Sequence, residues 1–337
     1  MLVKTFASLS ALCFLSCSVA HATDGAIDTT FGTSGFATAG ISNVVPGPPR
    51  PGPIVQPDGK ILIAGTVDSG VPNGFDMMVV RFNSDGSLDT SFSFDGRTTV
   101  SFADSTGFDQ CTALALQSDG KIIVAGSTQA SGDRQHFAIA RFNADGSLDT
   151  TSFGAGTGKI TVSFGFRNDY ANSLALQTDG KIVLAGATTN IAISGSNRNF
   201  AIVRLNTDGT LDSTFNSTGM QIVAFDLPVS GGTLADTANA IAIDSQNRIV
   251  VAGSAEGVSN DTDFAVARLL SNGQLDTSFN SSCRQVIPFN IAGNNSDSAE
   301  TLLVLHDDKI VLAGAQAVML DQTRSIWHWC DCNLMVL

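Results

Sequence analysis

A short phrase, a turn followed by an apolar run, returns along this 337-residue chain at intervals of about sixty residues. The copies begin Asp58-Gly59-Lys60-Ile61, Asp119-Gly120-Lys121-Ile122, Asp179-Gly180-Lys181-Ile182, the eroded Gln246-Asn247-Arg248-Ile249 and Asp307-Asp308-Lys309-Ile310. Their basic residues stand at 60, 121, 181, 248 and 309, in steps of 61, 60, 67 and 61. Each copy runs on into a β-rich stretch closing in Ala-Gly, as in Ile122-Ile123-Val124-Ala125-Gly126. A fixed period of this length means one supersecondary unit copied in tandem. Such a unit cannot bury its own faces and must stack on its neighbours.

The copy from Arg97 to Asn143 predicts four strands: Thr98 to Phe102, Ala113 to Gln117, Lys121 to Gly126 and Phe137 to Phe142. The second and fourth alternate a large residue with alanine, while the third is apolar throughout, as expected of a small antiparallel sheet covered on both faces. Ser118-Asp119-Gly120 joins the second and third strands and predicts a type I′ hairpin, because Asp-Gly tolerates positive φ. Four short strands per unit, five units and no helical periodicity predict an all-β fold. The expected form is a β-propeller of about five four-stranded antiparallel blades, the last incomplete. An open β-repeat array or a β-solenoid is the alternative.

A second phrase follows each of the first four: Arg81 to Phe92 reads Arg-Phe-Asn-Ser-Asp-Gly-Ser-Leu-Asp-Thr-Ser-Phe. It returns at Arg141 to Phe153 with one extra Thr, at Arg204 to Phe215, and more loosely at Arg268 to Phe279. Its tail also stands at Asp24-Gly25-Ala26-Ile27-Asp28-Thr29-Thr30-Phe31. Together the paired phrases resemble the bacterial delta-60 repeat family over nearly all of Asp24 to Gly314. The resemblance implies propeller-like blades and an exported protein. It implies no activity and supplies no catalytic residue.

Residues 1–22 carry a signal-peptide pattern: Lys4, an apolar stretch from Leu9 to Val19, and Ala20-His21-Ala22 before the cut. A lipoprotein alternative would start at Cys17, but Phe14-Leu15-Ser16 before it fits that poorly. The expected organisation is thus a signal peptide at 1–22, a repeat domain at 23–324 and an aberrant tail at 325–337. The protein is expected in the periplasm, at the cell surface or outside. No later run has the ~20 apolar residues of a spanning helix. Formal net charge is −13, and −14 once Lys4 is removed, which argues against nucleic acid or anionic membrane as partners.

The last copy breaks off. After Ala313-Gly314 the pattern asks for a strand of the type Phe-Ala-Ile-Ala-Arg-Phe-Asn, and the chain instead reads Ser325-Ile326-Trp327-His328-Trp329-Cys330-Asp331-Cys332-Asn333. A Cys-x-Cys-plus-His metal or redox tail is one reading. A frameshift or truncation, leaving the last blade short of a strand and an edge exposed, is preferred. Cys111 occupies a register held by Ala171, Ala238 and Ala299, and Cys283 one held by Gly96 and Gly219, so both read as small-residue substitutions.

Residues that recur in each copy are most simply scaffold. Arg81, Arg141, Arg204 and Arg268, each eight residues before Asp89, Asp149, Asp212 and Asp276 (with one extra residue following in the second copy), predict an arginine–carboxylate clasp. The alternating oxygens of Asn83-x-Asp85-Gly86-Ser87-x-Asp89 suggest calcium, yet the glycine comes fourth and no twelfth-position Glu follows, unlike an EF-hand. An Asx-stabilised turn explains them without metal. A subtler register places Asp109, Asp169, Asp236 and Asp297 four residues before a second-strand position, with Pro48 at the first copy's equivalent. If strand starts converge on an axial channel, these carboxylates are candidate ligands for calcium or a cationic group; turn capping is the alternative.

Loops after the third predicted strand vary: Val67 to Asp76, Thr128 to Gln135, Thr188 to Asn199, Ala255 to Asp263 and Gln316 to Arg324. Asp133-Arg134-Gln135-His136 and Asn197-Arg198-Asn199-Phe200 bring basic and polar groups into them. No nucleophile elbow, zinc-protease or nucleotide-binding motif occurs. The expectation is an exported, non-catalytic scaffold binding protein or polysaccharide through its loops. A polysaccharide-active propeller enzyme or an inactive fragment are the alternatives. An enzyme would gather unrepeated polar residues at one end of the axis.

Overall fold

The computed structural model describes residues 25–41, 45, 51–70, 74–102, 107–129, 134–165, 168–189, 197–225, 235–257, 261–288, 296–317 and 333–336. The signal segment, Pro46 to Pro49, Asp133 and residues 318–332 lie outside them. Nineteen strands make up the described fold, with no α-helix.

The first blade holds β1 (Ile54–Val55), β2 (Ile61–Asp68), β3 (Phe75–Phe82) and β4 (Arg97–Val100). The second holds β5 (Phe108–Leu116), β6 (Ile122–Gln129), β7 (His136–Phe142) and β8 (Lys159–Val162). The third is β9 (Asp169–Leu176), β10 (Ile182–Thr189), β11 (Arg198–Leu205) and β12 (Met220–Val223). The fourth is β13 (Thr237–Ile243), β14 (Ile249–Glu256), β15 (Thr262–Leu269) and β16 (Arg284–Ile287). The fifth has β17 (Ser296–Val304), β18 (Ile310–Ala317) and β19 (Asn333–Val336). Within each blade the strands pair antiparallel in chain order. One parallel pair, Phe75 with Phe108, links the first blade to the second. This is the all-β, blade-built propeller architecture that the period predicts.

The blade is cut differently from the sequence unit. Thr98 to Phe102, expected as the first strand of its copy, forms β4 and pairs with β3 as the outermost strand of the preceding blade. A tandem repeat has no marked start, so periodicity alone cannot place the cut. The hydrogen bonds do, and packing reaches across the cut: Val100 on β4 joins Ile122, Val124 and Phe142 of the next blade in one core. Val162 and Val223 do likewise one and two blades on. Each short outer strand therefore belongs to one sheet by hydrogen bonding and to the next by apolar contact.

The Asp-Gly hairpins also differ from expectation. Gln117 N–H donates to the Lys121 carbonyl and Gly120 N–H to that of Gln117, with φ +83° at Gly120 alone. This is a three-residue turn with a left-handed third residue rather than a two-residue type I′ turn. In the eroded copies Asn247 (φ +61°) and Asp308 (φ +61°) take the glycine's place, the residue types that best tolerate that conformation.

The terminal glycine of each Ala-Gly has a different reason. The innermost strands β5, β9, β13 and β17 carry a bulge opposite it, between Cys111 and Ala113 in the second blade. The bulge pushes a carbonyl inward, so a Cβ on Gly126, Gly186, Gly253 or Gly314 would stand 1.8–1.9 Å from a backbone oxygen. Cys111 is buried opposite Gly126 as Ala171 is opposite Gly186, in line with a small-residue substitution. Burial pushes its thiol up to about 12. Cys283, at φ +67°, stands where the other copies have glycine.

Four residues of the tail lie among the described residues. Asn333–Val336 pairs with β18 in the third-strand place, Gly314 facing Asn333 as Gly253 faces Ala265. It spans four residues where β15 spans eight.

Candidate functional site

The blades have two unlike ends. β5 and β6 meet at Leu116–Ile122 on one side and open at Phe108–Gln129 on the other. One face therefore carries the repeated tight turns and the Asn-x-Asp-Gly-Ser loops. The opposite face carries the variable loops and the connections into each next blade.

On the turn face the repeated residues form a latch. Arg141 Nε donates to Asp149 Oδ2 (2.9 Å), its guanidinium lies 4.5 Å from the Phe153 ring centre, and Lys121 Nζ reaches the same carboxylate at 2.9 Å. The pattern recurs with Arg81, Asp89, Phe92 and Lys60, and with Arg204, Asp212, Phe215 and Lys181. The latch then crosses blades: Arg81 Nη1 donates to the Ala144 carbonyl and Arg141 Nη1 to that of Thr207, both at 2.5 Å. Arg204 reaches the Ser271 carbonyl in the same way. Phe92, Phe153 and Phe215 cover Gly146, Gly209 and Gly273 of the following blade, where a Cβ would collide with the ring. The predicted clasp is thus present, and it is also the blade-to-blade fastening.

Calcium is not needed to explain the Asx loops. Asp85, Asp145 and Asp208 each accept from the hydroxyl and N–H two residues on, and these bonds hold their carboxyls below the usual range. For Asp89, Asp149 and Asp212 burial pushes upward but is outweighed by hydrogen bonds from neighbouring hydroxyls and the cationic side chains. Asp212 is brought to about 2, and Asp89 and Asp149 well below the carboxylate range. A carboxyl lowered on folding stabilises above its unfolded pKa, near 4, and that stability is lost as pH falls towards the folded value. Unfolding free energy should therefore be level near neutrality and drop between about pH 4 and pH 2. Asp212→Asn should make that drop shallower in urea titrations at stepped pH; an unchanged slope would contradict the assignment.

The opposite face holds the second acidic register. Asp109, Asp169, Asp236 and Asp297 sit at the starts of β5, β9, β13 and β17, all buried. The first three turn into the seam between blades. Asp109 accepts from Phe102 N–H (2.6 Å), Asp169 from Phe164 N–H (2.9 Å) and Asp236 from Phe225 N–H (2.8 Å), each residue following the previous blade's outer strand. Thr188 Oγ1 also donates to Asp169 (2.6 Å). The carboxylates stand one per seam, and among the described residues no three His, Cys, Asp or Glu side chains are grouped to hold a metal ion.

What varies is the residue five before each latch arginine: Asp76, His136, Asn199 and Asp263. His136 Nδ1 lies 4.0 Å from Asp169 Oδ2. Asp76 is raised by burial, lowered by the Ser101 hydroxyl, and raised again by Asp109. Asp263 is raised by burial and then by Asp261, itself raised by burial. Asn197 and Asn199 are both buried with Oδ1 lacking a hydrogen-bond partner, as do Gln135 Oε1 and one oxygen each of Asp261 and Asp263. Asp76 and Asp263 were legible only as the ends of variable loops; their signal is variation at one register among otherwise repeated neighbours.

Four segments, 56–92, 117–151, 177–215 and 246–279, match a family described as a β-propeller domain of unknown function, DUF5122. These are propeller repeats. Each match runs from a tight turn through the blade's second and third strands to the latch aspartate. No curated protein matches the chain at a significant level. Among solved structures the chain is similar to an endo-arabinase from Bacteroides thetaiotaomicron, at 11% identity over 84% of this chain and 91% of that one, TM-score 0.43. It is also similar to an endo-arabinanase from Bacillus licheniformis, at 14% identity over 90% and 96%, TM-score 0.39.

Proposed function

We propose that this protein is an exported, non-catalytic propeller scaffold whose loop face binds an uncharged polysaccharide. The observation that carries this reading is the electrostatic contrast between the faces. Every resolved carboxyl shift on the turn face is downward, whereas Asp76, Asp261 and Asp263 on the loop face are shifted upward. Gln135, Asn197, Asn199, Asp261 and Asp263 each hold there a buried oxygen without a hydrogen-bond partner, and Arg198 Nε is a buried donor without one. Carbohydrate hydroxyls are donors suited to a face rich in acceptors, while an anionic chain would be repelled by its carboxylates. The unrepeated polar groups are spread one seam apart, which favours a binding surface over a catalytic centre. Export rests on the signal pattern at 1–22.

Affinity electrophoresis against neutral and acidic polysaccharides tests this. Retardation by a neutral polymer, weakened about tenfold by Asp261→Ala with Gln135→Ala, is the expected result. The turn-face change Ser147→Ala should leave binding unaltered. Retention by acidic polymers alone would refute the reading, and release of new reducing ends from the bound polymer would favour the hydrolase alternative.

A further inference from the structure

The segment ahead of the first blade repeats the second half of a blade bond for bond. Thr30 Oγ1 donates to Asp28 Oδ1 (2.6 Å) as Ser91 Oγ does to Asp89 (2.6 Å). Phe31 N–H donates to the Asp28 carbonyl and Gly35 N–H to that of Phe31, matching Phe92 to Asp89 and Gly96 to Phe92. Gly32 N–H reaches the Asp85 carbonyl of the first blade (2.6 Å) as Ser93 N–H reaches Asp145 of the second (2.8 Å). The Phe31 ring covers Gly86 as Phe92 covers Gly146. By this alignment Phe36 to Ala39 stands where Arg97–Val100 stands, in the outermost-strand place of a blade preceding the first.

Packing agrees. Ala37, Ala39 and Ile41 lie against Met78, Val80 and Phe82, as Val100 and Phe102 lie against Ala138, Ala140 and Phe142. Yet an outer strand in the four complete blades pairs with a third strand. Here Phe36 is 62% exposed and bridges only Thr33, and among the described residues no strand pairs with residues 37–39. Among the described residues the fifth blade shows the converse: it holds three strands, and β19 pairs on one side only. Of these residues, one unit has an outer strand and no sheet, and the other has a sheet and no outer strand.

We propose that Phe36 to Ala39 is the outermost strand of the fifth blade, pairing antiparallel with Asn333–Val336 and closing the ring within one chain. Transferring the register of β15 with β16 sets Met335 against Phe36, Leu334 against Ala37 and Asn333 against Thr38. The two unpaired edges then satisfy each other's backbone groups. The same register puts Val336 where the other blades have the latch arginine, because Val336 faces Val311 as Arg268 faces Val250. The closing blade therefore lacks the guanidinium that would join Asp28 and Phe31.

The test is a cross-link in the chain with Cys330 and Cys332 changed to serine. Facing cross-strand positions lie within disulfide reach. Ala37→Cys with Leu334→Cys should form a disulfide under mild oxidation within the monomer, seen by mass and non-reducing electrophoresis. A bond only between molecules, or none while both single-cysteine proteins keep the parent Tm, overturns the proposal. Independently, Val336→Arg should raise Tm by about 2–4 °C, and Asp28→Ala should cancel that rise. An equal rise with and without Asp28 would overturn the register.

Discussion

Gly186→Ala should destabilise the protein by about 3 kcal/mol, whereas Gly65→Ala should change stability by less than about 0.5 kcal/mol. The two glycines hold the same place in the repeat, each closing an Ala-Gly on a second strand. A Cβ on Gly186 would lie 1.8 Å from the Tyr170 carbonyl oxygen, where two backbones meet and neither can rotate away. Among the described residues a Cβ on Gly65 meets nothing within 4 Å, and the two-residue β1 pairs only with Ile61 and Leu62, short of it. Urea unfolding gives the comparison directly, through the shift in midpoint at constant slope. Equal losses at the two sites would mean that the bulge carbonyl is not what excludes a side chain.

Arg141→Ala should cost about 3–5 kcal/mol, and Lys121→Ala only about 1 kcal/mol or less. Both side chains bond Asp149, so a simple count of ion pairs would rank them alike. Arg141 is buried and also donates to the Thr207 carbonyl of the next blade, donates to the Ser152 carbonyl at 2.9 Å, and stacks on Phe153. Its removal takes one donor from a buried carboxylate and leaves an interblade carbonyl without its donor. Lys121 is a quarter exposed, so water replaces much of what it provides. A comparable loss for both would show that the carboxylate contact, and not the bridge to the following blade, carries the stability.

The clasp between Arg141 and Asp149 was legible because both residues recur at a fixed separation and carry opposite charge. That the same guanidinium fastens one blade to the next was not legible, since Thr207 contributes only its carbonyl and any residue has one. The acidic register was likewise visible as Asp109, Asp169, Asp236 and Asp297. Its setting was not: Asp109, Asp169 and Asp236 turn into the seams to accept backbone N–H groups, a geometry no spacing encodes. Asp76 and His136 escape notice as a set because their chemistry differs from copy to copy, and only the shared strand position relates them.

By itself, the sequence determined the blade. A sixty-residue period of alternating apolar residues, Asp-Gly turns and Ala-Gly strand ends admits little besides stacked small antiparallel sheets, because those local preferences agree with one another. The tertiary structure decided where a blade begins, since a tandem period has no origin and the outer strand is shared between one sheet's hydrogen bonds and the next sheet's core. It also decided that the two faces differ. One face spends its charges on fastening while the other holds most of the unpartnered side-chain acceptors among the described residues, and that contrast depends on distances across seams that lie some sixty residues apart in the chain.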